Sequence, residues 1–398
     1  MGKTAAPTEP AVLSAWRARA ETLLHANVWT LPGQPEPVLT CGQGYPGIWL
    51  EHNQDNVFYL RYDPAVARAG HDIFIRHQAA DGLLPPFIRR PEQQGGRAEI
   101  GDGHVQSVLP FARSALAVAR GCRDEAFLAR AYAAGVRYDD WLMRFRNRRG
   151  TGLVEMFCEW DTGHDHSPRV TDGGLKQGCP GLDARVCPEN PELPIIAADL
   201  SAMLYGARIA LAEMAEELGL EGEAASWYER AAETRARIDA LLWDPEDEFY
   251  YDLAPDGRFR RYRSEHITRL FLNQAVDQDR FDRIWARYFT APDGFATPYP
   301  FPSMAMSDPS YKRGQSNCWG GPSQALTMLR AVMWMESYGR RAELDRALAV
   351  WLAAIMGSDK DHGQEMDPFT GNFSDSAPRY TPTLLLAILA IDRAQPPP

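Results

Sequence analysis

"ADLSAMLYGARIALAEMAEELGL" (198–220) runs directly into "EGEAASWYERAAETRARIDALLW" (221–243), and the reading of this pair decides the fold. Apolar residues recur in both on a period of 3.6, so the two stretches form a helical hairpin. The layout appears twice more. Residues 105–121, closed by Gly121, are followed by 124–148, which opens with acids and ends with arginines as the helix dipole prefers. Residues 322–339 are followed by 341–357. Helical stretches near 10–26, 62–79, 264–272, 277–289 and 381–393 bring the total to roughly eleven or twelve. Hairpins of this kind bury their apolar faces by stacking on one another. An all-α toroid of paired helices, an (α/α)6 barrel spanning residues 1–398 as one domain, is the expected fold.

The chain has 398 residues, and its 42 Lys+Arg against 53 Asp+Glu give a net charge of −11. It carries no basic run or arginine-rich arm, so nucleic acid is not an expected partner. No apolar stretch is long enough to cross a bilayer, and the first twenty residues lack a signal-peptide core. A cytoplasmic location with no membrane partner is expected; a homo-oligomer stays open. The six cysteines include no CxxC pair and read as free thiols, with a Cys179–Cys187 bridge as the minor alternative.

Three long polar loops, 147–196, 290–321 and 358–380, hold most of the ionisable chemistry. "CEWDTGHDHSPR" (158–169) packs three acids, two histidines and an arginine into twelve positions. Asp161 and Asp165 with His164 or His166 have the residue types of a metal site. The other histidines are dispersed, so a metal is not favoured. The second reading pairs Asp165 with Glu365 of "DHGQEMDPFTG" (361–371), because two acids distant in sequence but facing one cavity are the machinery of glycoside hydrolysis. Trp49, Trp160, Tyr311 and Trp319, in or beside the loops, supply flat faces for sugar rings. Asp367, Pro368 and Gly371 also read as plain turn chemistry.

"GLVEMFCEWDTGHDHSPR" (152–169), "YKRGQSNCWGG" (311–321) and "GQEMDPFTG" (363–371), with the central hairpin between them, resemble in order the motifs of glycoside hydrolase family 63 and its trehalase and mannosylglycerate hydrolase relatives. The resemblance implies the (α/α)6 barrel, an inverting mechanism and a small α-linked sugar substrate. It implies Asp165 as general acid and Glu365 as general base. Asp161, Arg169, Asp199 and Arg313 fall on positions that hold sugar hydroxyls or orient the acids. Trp49, Asp55, Gln106, Trp160, His164, Tyr311 and Trp319 complete the expected substrate-binding set. Which of Glu51, His52 and Asp55 grips the terminal sugar is open at this point. Lys312, Arg169 and Arg313 suit an anionic aglycone such as glycerate.

The expected function is therefore an inverting, exo-acting α-glycosidase on an α-glucoside or α-mannoside, either a disaccharide or a hexosyl-glycerate. No cofactor is expected, because neither a nucleotide loop nor a flavin motif is present. Two rivals remain: a sugar epimerase using His164 and His166, and a sugar-binding protein without catalysis.

Overall fold

A computed structural model describes residues 9–91, 96–106, 108–312 and 318–395. The helices among them, in chain order, are α1 (Pro10–Ala26), α2 (Asn53–Tyr59), α3 (Pro64–Arg76), α4 (Phe111–Cys122), α5 (Glu125–Phe145), the single turn α6 (Pro168–Thr171), α7 (Ala198–Glu217), α8 (Glu221–Leu242), α9 (His266–Leu272), α10 (Gln278–Ile284), α11 (Ala325–Ala331), α12 (Arg341–Gly357) and α13 (Thr381–Ala394). None is long and apolar enough to cross a membrane.

Packing follows a strict alternation. α2, α4, α7, α9, α11 and α13 each contact the next, and α13 returns to α2, which closes an inner ring. The remaining long helices back this ring: α1 and α12 on α13, α3 on α2 and α4, α5 on α4 and α7, and α8 on α7. α10 backs α9 through Phe281, whose ring lies 4.8 Å from that of Phe271. The molecule is an (α/α)6 barrel. Local sequence explains which helix goes where. Every residue of α9 and α11 is buried, the arginines among them paired with carboxylates, whereas α8 buries one stripe through Ala224, Trp227, Ala231, Thr234, Ile238 and Leu242.

Several boundaries depart from the sequence expectation. α4 begins at Phe111, not at 105, because Pro110 sits at its N-cap in an extended conformation. α11 ends at Ala331, and residues 332–339 continue as turns. α2 was not expected at all. Its opening Asn53-Gln54-Asp55-Asn56 is entirely buried, so it has no apolar period to read. The loops also contain strands of two or three residues, among them Ser323–Gln324 paired antiparallel with Glu365–Met366.

Candidate active site

The loops leading into the inner helices converge on a pocket of about 350 Å³. Trp49, Glu51 and His52 reach it from the entry to α2, Gln106 from the entry to α4, Trp319 from the entry to α11, and Gln364 and Tyr380 from the entry to α13. Asp165 closes one side. Four of the inner helices, α2, α4, α11 and α13, thus present their N-terminal ends near one opening.

Glu51 is held in this wall by two side chains. Gln106 Nε2 donates to its Oε1 at 3.1 Å, and Arg330 Nη2 donates to its Oε2 at 3.1 Å. Gly163 allows the approach: its φ is +65°, and a Cβ there would lie 2.9 Å from Glu51 Oε1. His52 is fixed behind, with Nδ1 3.0 Å from Asp55 Oδ2 and Nε2 3.2 Å from the Tyr380 hydroxyl. Asp55 is therefore the orienting partner of His52 and does not line the pocket. Tyr45 donates to Gln364 Oε1 at 2.8 Å. Burial, and then the negative charges of Asp165 and Glu51, push its phenol well above the usual range.

Consecutive residues tie Asp165 and Glu365 to one segment. The Trp319 amide donates to the Asp165 carbonyl at 3.0 Å, and the Cys318 amide to Glu365 Oε2 at 3.3 Å. Glu365 also accepts from Gln324 Nε2 at 2.7 Å and from Ser374 Oγ at 3.0 Å. It lines another cavity, of about 940 Å³, together with Tyr311, and not the pocket that Asp165 lines. Arg313 lies outside the described residues. Asp367 accepts from the amides of Phe369 and Thr370, the turn chemistry its sequence suggests.

Beneath the pocket lies a different arrangement. Arg169 donates to both oxygens of Asp199, at 2.7 and 2.8 Å, and to both oxygens of Asp252 at the same two distances. Arg269 bridges Asp199 at 3.1 Å and Glu265 at 3.1 Å. His164 sits between Glu265, on its Nε2, and Arg169, 3.0 Å from its Nδ1. Burial first, then Arg269 and Arg169, lower its pKa to about 4, so it is a neutral ring donating from Nε2. Asp161 takes Arg146 at 2.5 and 3.0 Å and the amides of Val105, Phe157 and Cys158. Burial opposes its charge, but Arg146 prevails and holds its pKa below the usual carboxylate range.

These contacts place four of the expected site residues, Asp161, His164, Arg169 and Asp199, behind the pocket wall, where they can orient but not line it. All four are buried: Asp161 is committed to Arg146, while His164 and Asp199 are both committed to Arg169. Arg169 has both faces of its fork occupied and does not hold an anionic aglycone. Trp160 also stands aside, its ring 5.3 Å from that of His104. The epimerase rival loses its histidine pair, since His164 is buried while His166 is exposed beside Glu159. Among the described residues the one cluster with metal-ligand spacing is Cys158, Asp161 and Cys179. The Arg146 guanidinium, 3.6 Å from Cys179 Sγ, already supplies the positive charge there.

Residues 57–381 match the family model of the mannosylglycerate hydrolase MGH1-like glycoside hydrolase domain. The chain belongs to that family. The resemblance read from the sequence agrees with it. Among solved structures, the family 63 mannosylglycerate hydrolase of Thermus thermophilus in complex with Tris is 18% identical with a TM-score of 0.78, covering 94% of this chain and 99% of that one. The neutral trehalase of Saccharomyces cerevisiae is 15% identical with a TM-score of 0.66, over 94% of this chain and 80% of that one. At these identities the likeness is one of fold. An uncharacterized protein of Borreliella burgdorferi is 25% identical over 112 residues, which span 28% of this chain and 23% of that relative.

Within this MGH1-like hydrolase, the residues that sequence reasoning missed are Tyr45, Gln364, Tyr380 and Arg330. Arg330 left a signal: it is a single cation inside "ALTMLRAVMW" (325–334), an otherwise apolar helix, where a charge needs a buried partner. The other three sit in turns with no periodicity to mark them.

Proposed function

We propose that this glycoside hydrolase is an inverting, exo-acting α-glycosidase on an α-glucoside or α-mannoside of disaccharide or hexosyl-glycerate type. Residues 1–398 form one catalytic barrel in this reading, and the location is cytoplasmic. Asp165 is the general acid and Glu365 the general base. The observation that carries the reading is the common tether: successive amides of Cys318 and Trp319 bind the Glu365 carboxylate and the Asp165 backbone.

The roles follow from surroundings. Glu365 accepts from three donors, which suits a group that stays ionised and takes a proton from water. Asp165 lines a small pocket whose neighbours Glu51 and Gln106 offer acceptor and donor to sugar hydroxyls, while Trp49 and Trp319 offer ring faces. An inverting pair needs a carboxyl separation of roughly 6.5–9.5 Å to admit the water. The Thermus thermophilus enzyme is known with glucose, and with Tris and D-glycerate, which supports a hexose pocket beside a place for glycerate here. Lys312 is the described cation nearest in sequence to the motif and is assigned to that aglycone.

The test is hydrolysis of α-linked disaccharides and hexosyl-glycerates, with the released anomer followed by proton NMR and Asp165→Asn as control. First release of the β-anomer, absent in the variant, is expected. Release of the α-anomer removes the inverting mechanism, and equal turnover in the variant removes Asp165.

A further inference from the structure

A second cavity, of about 770 Å³, opens between α4 and α7 beside the end of α9. On α7 its lining runs from Tyr205 to Glu213, six to fourteen residues past Asp199, or about 9–21 Å farther along the helix axis. It shares no residue with the sugar pocket.

Its wall contains an arginine without a carboxylate partner, unlike the fully buried ones. Every fully buried arginine has a carboxylate: Arg146 has Asp161, Arg169 has Asp199 and Asp252, Arg208 has Asp139, Arg269 has Asp199 and Glu265, and Arg330 has Glu51. Arg113, half-buried in the cavity wall, has none within ion-pairing distance among the described residues. Its Nη1 donates to the Leu272 carbonyl at the end of α9, and its Nε and Nη2 have no protein partner there. Burial lowers its pKa against the opposing pull of Glu213 and Tyr338. Glu213 does not pair with it, being bound to Arg120, which also takes Glu217. The Tyr205 hydroxyl, a second donor in the same wall, likewise has no hydrogen-bond partner among the described residues.

We propose that this cavity is a second ligand site, for a small oxyanion. The carboxylate or phosphate group takes Nε and Nη2 of Arg113 in the two-pronged geometry that guanidinium favours, with the Tyr205 hydroxyl as a third donor. The body of the ligand lies against Ala117 and Ile209.

The test is calorimetric titration of the full chain, in separate experiments, with inorganic phosphate and with malonate, which distinguish the two sources of the oxyanion. One-to-one binding of at least one anion is expected, weakened tenfold or more in Arg113→Met. Ala117→Trp fills the cavity while leaving the guanidinium in place, and it is expected to weaken binding as much. Circular dichroism identifies a misfolded Arg113→Met, in which case Ala117→Trp decides. No binding of either anion, or unchanged binding in Ala117→Trp, overturns the proposal. Failure of the glycosidase reading leaves this outcome untouched.

Discussion

The candidate pocket and the charge layer beneath it use the same kinds of side chain for opposite ends. Below, Arg169, Arg269, Asp199, Asp252 and Glu265 bind one another. Above, Glu51 and Asp165 face a cavity. A charge whose partners are all protein is part of the framework, while a charge with a face toward the cavity is available for chemistry. Buried ion pairs contribute little net stability as pairs, but removing one partner strands the other in a low-dielectric interior.

This contrast is broken most directly by Arg169→Met, which strands Asp199 and Asp252. It is expected to lower unfolding free energy by about 3–5 kcal/mol in a urea titration. Asp165→Asn is its counterpart, expected to abolish turnover by roughly a thousandfold or more while leaving the urea midpoint within about 1 kcal/mol of wild type. If the two variants behave alike, the two regions are not functionally distinct.

Acid sharpens the comparison next. His71, His104, His164 and His266 are each lowered to about 4, chiefly by burial. In the unfolded chain they titrate near 6.5. Between those values the unfolded state gains protons that the native state refuses, so stability is full above pH 6.5 and declines as pH falls toward 4. The expected loss by pH 5 is roughly 1–2 kcal/mol per histidine. Glu265, held below its ordinary pKa by Arg269 and His164 despite burial, adds a further loss at lower pH. Thermal melts from pH 7.5 to 4.5 check the trend, and a Tm that is flat over that range contradicts it.

A smaller effect separates pocket from surface. Gly163 and Gly219 both have positive φ, +65° and +72°, but a Cβ at Gly219 meets nothing within 4 Å. Alanine at either position is expected to cost about 1–3 kcal/mol for the backbone conformation. Gly163→Ala is expected also to raise KM several-fold by displacing Glu51, whereas Gly219→Ala leaves KM unchanged. Steady-state kinetics on both variants decides.

The barrel was legible in the sequence because its long helices carry either an apolar stripe or apolar character all round. α2 was not legible, since a buried helix beginning with amides has no hydrophobic period. The site was legible in part. The motif that contains Asp165 also contains Asp161, His164 and Arg169, and sequence alone does not separate a carboxylate facing a cavity from one facing an arginine. That distinction depends on partners far along the chain, such as Asp252 for Arg169 and Arg146 for Asp161. Glu51 was visible as one of three candidates, but its grip by Arg330, 279 residues away, was not.

The ring closes where α13 meets α2, and there the two ends of the described chain lie side by side, with Gln395 Nε2 donating to the Pro10 carbonyl at 3.2 Å. The barrel therefore has a seam whose position is arbitrary. A circular permutant joined across that seam and opened at the exposed turn between α7 and α8 keeps every inner-ring neighbour, and with them the convergence of loops that makes the pocket.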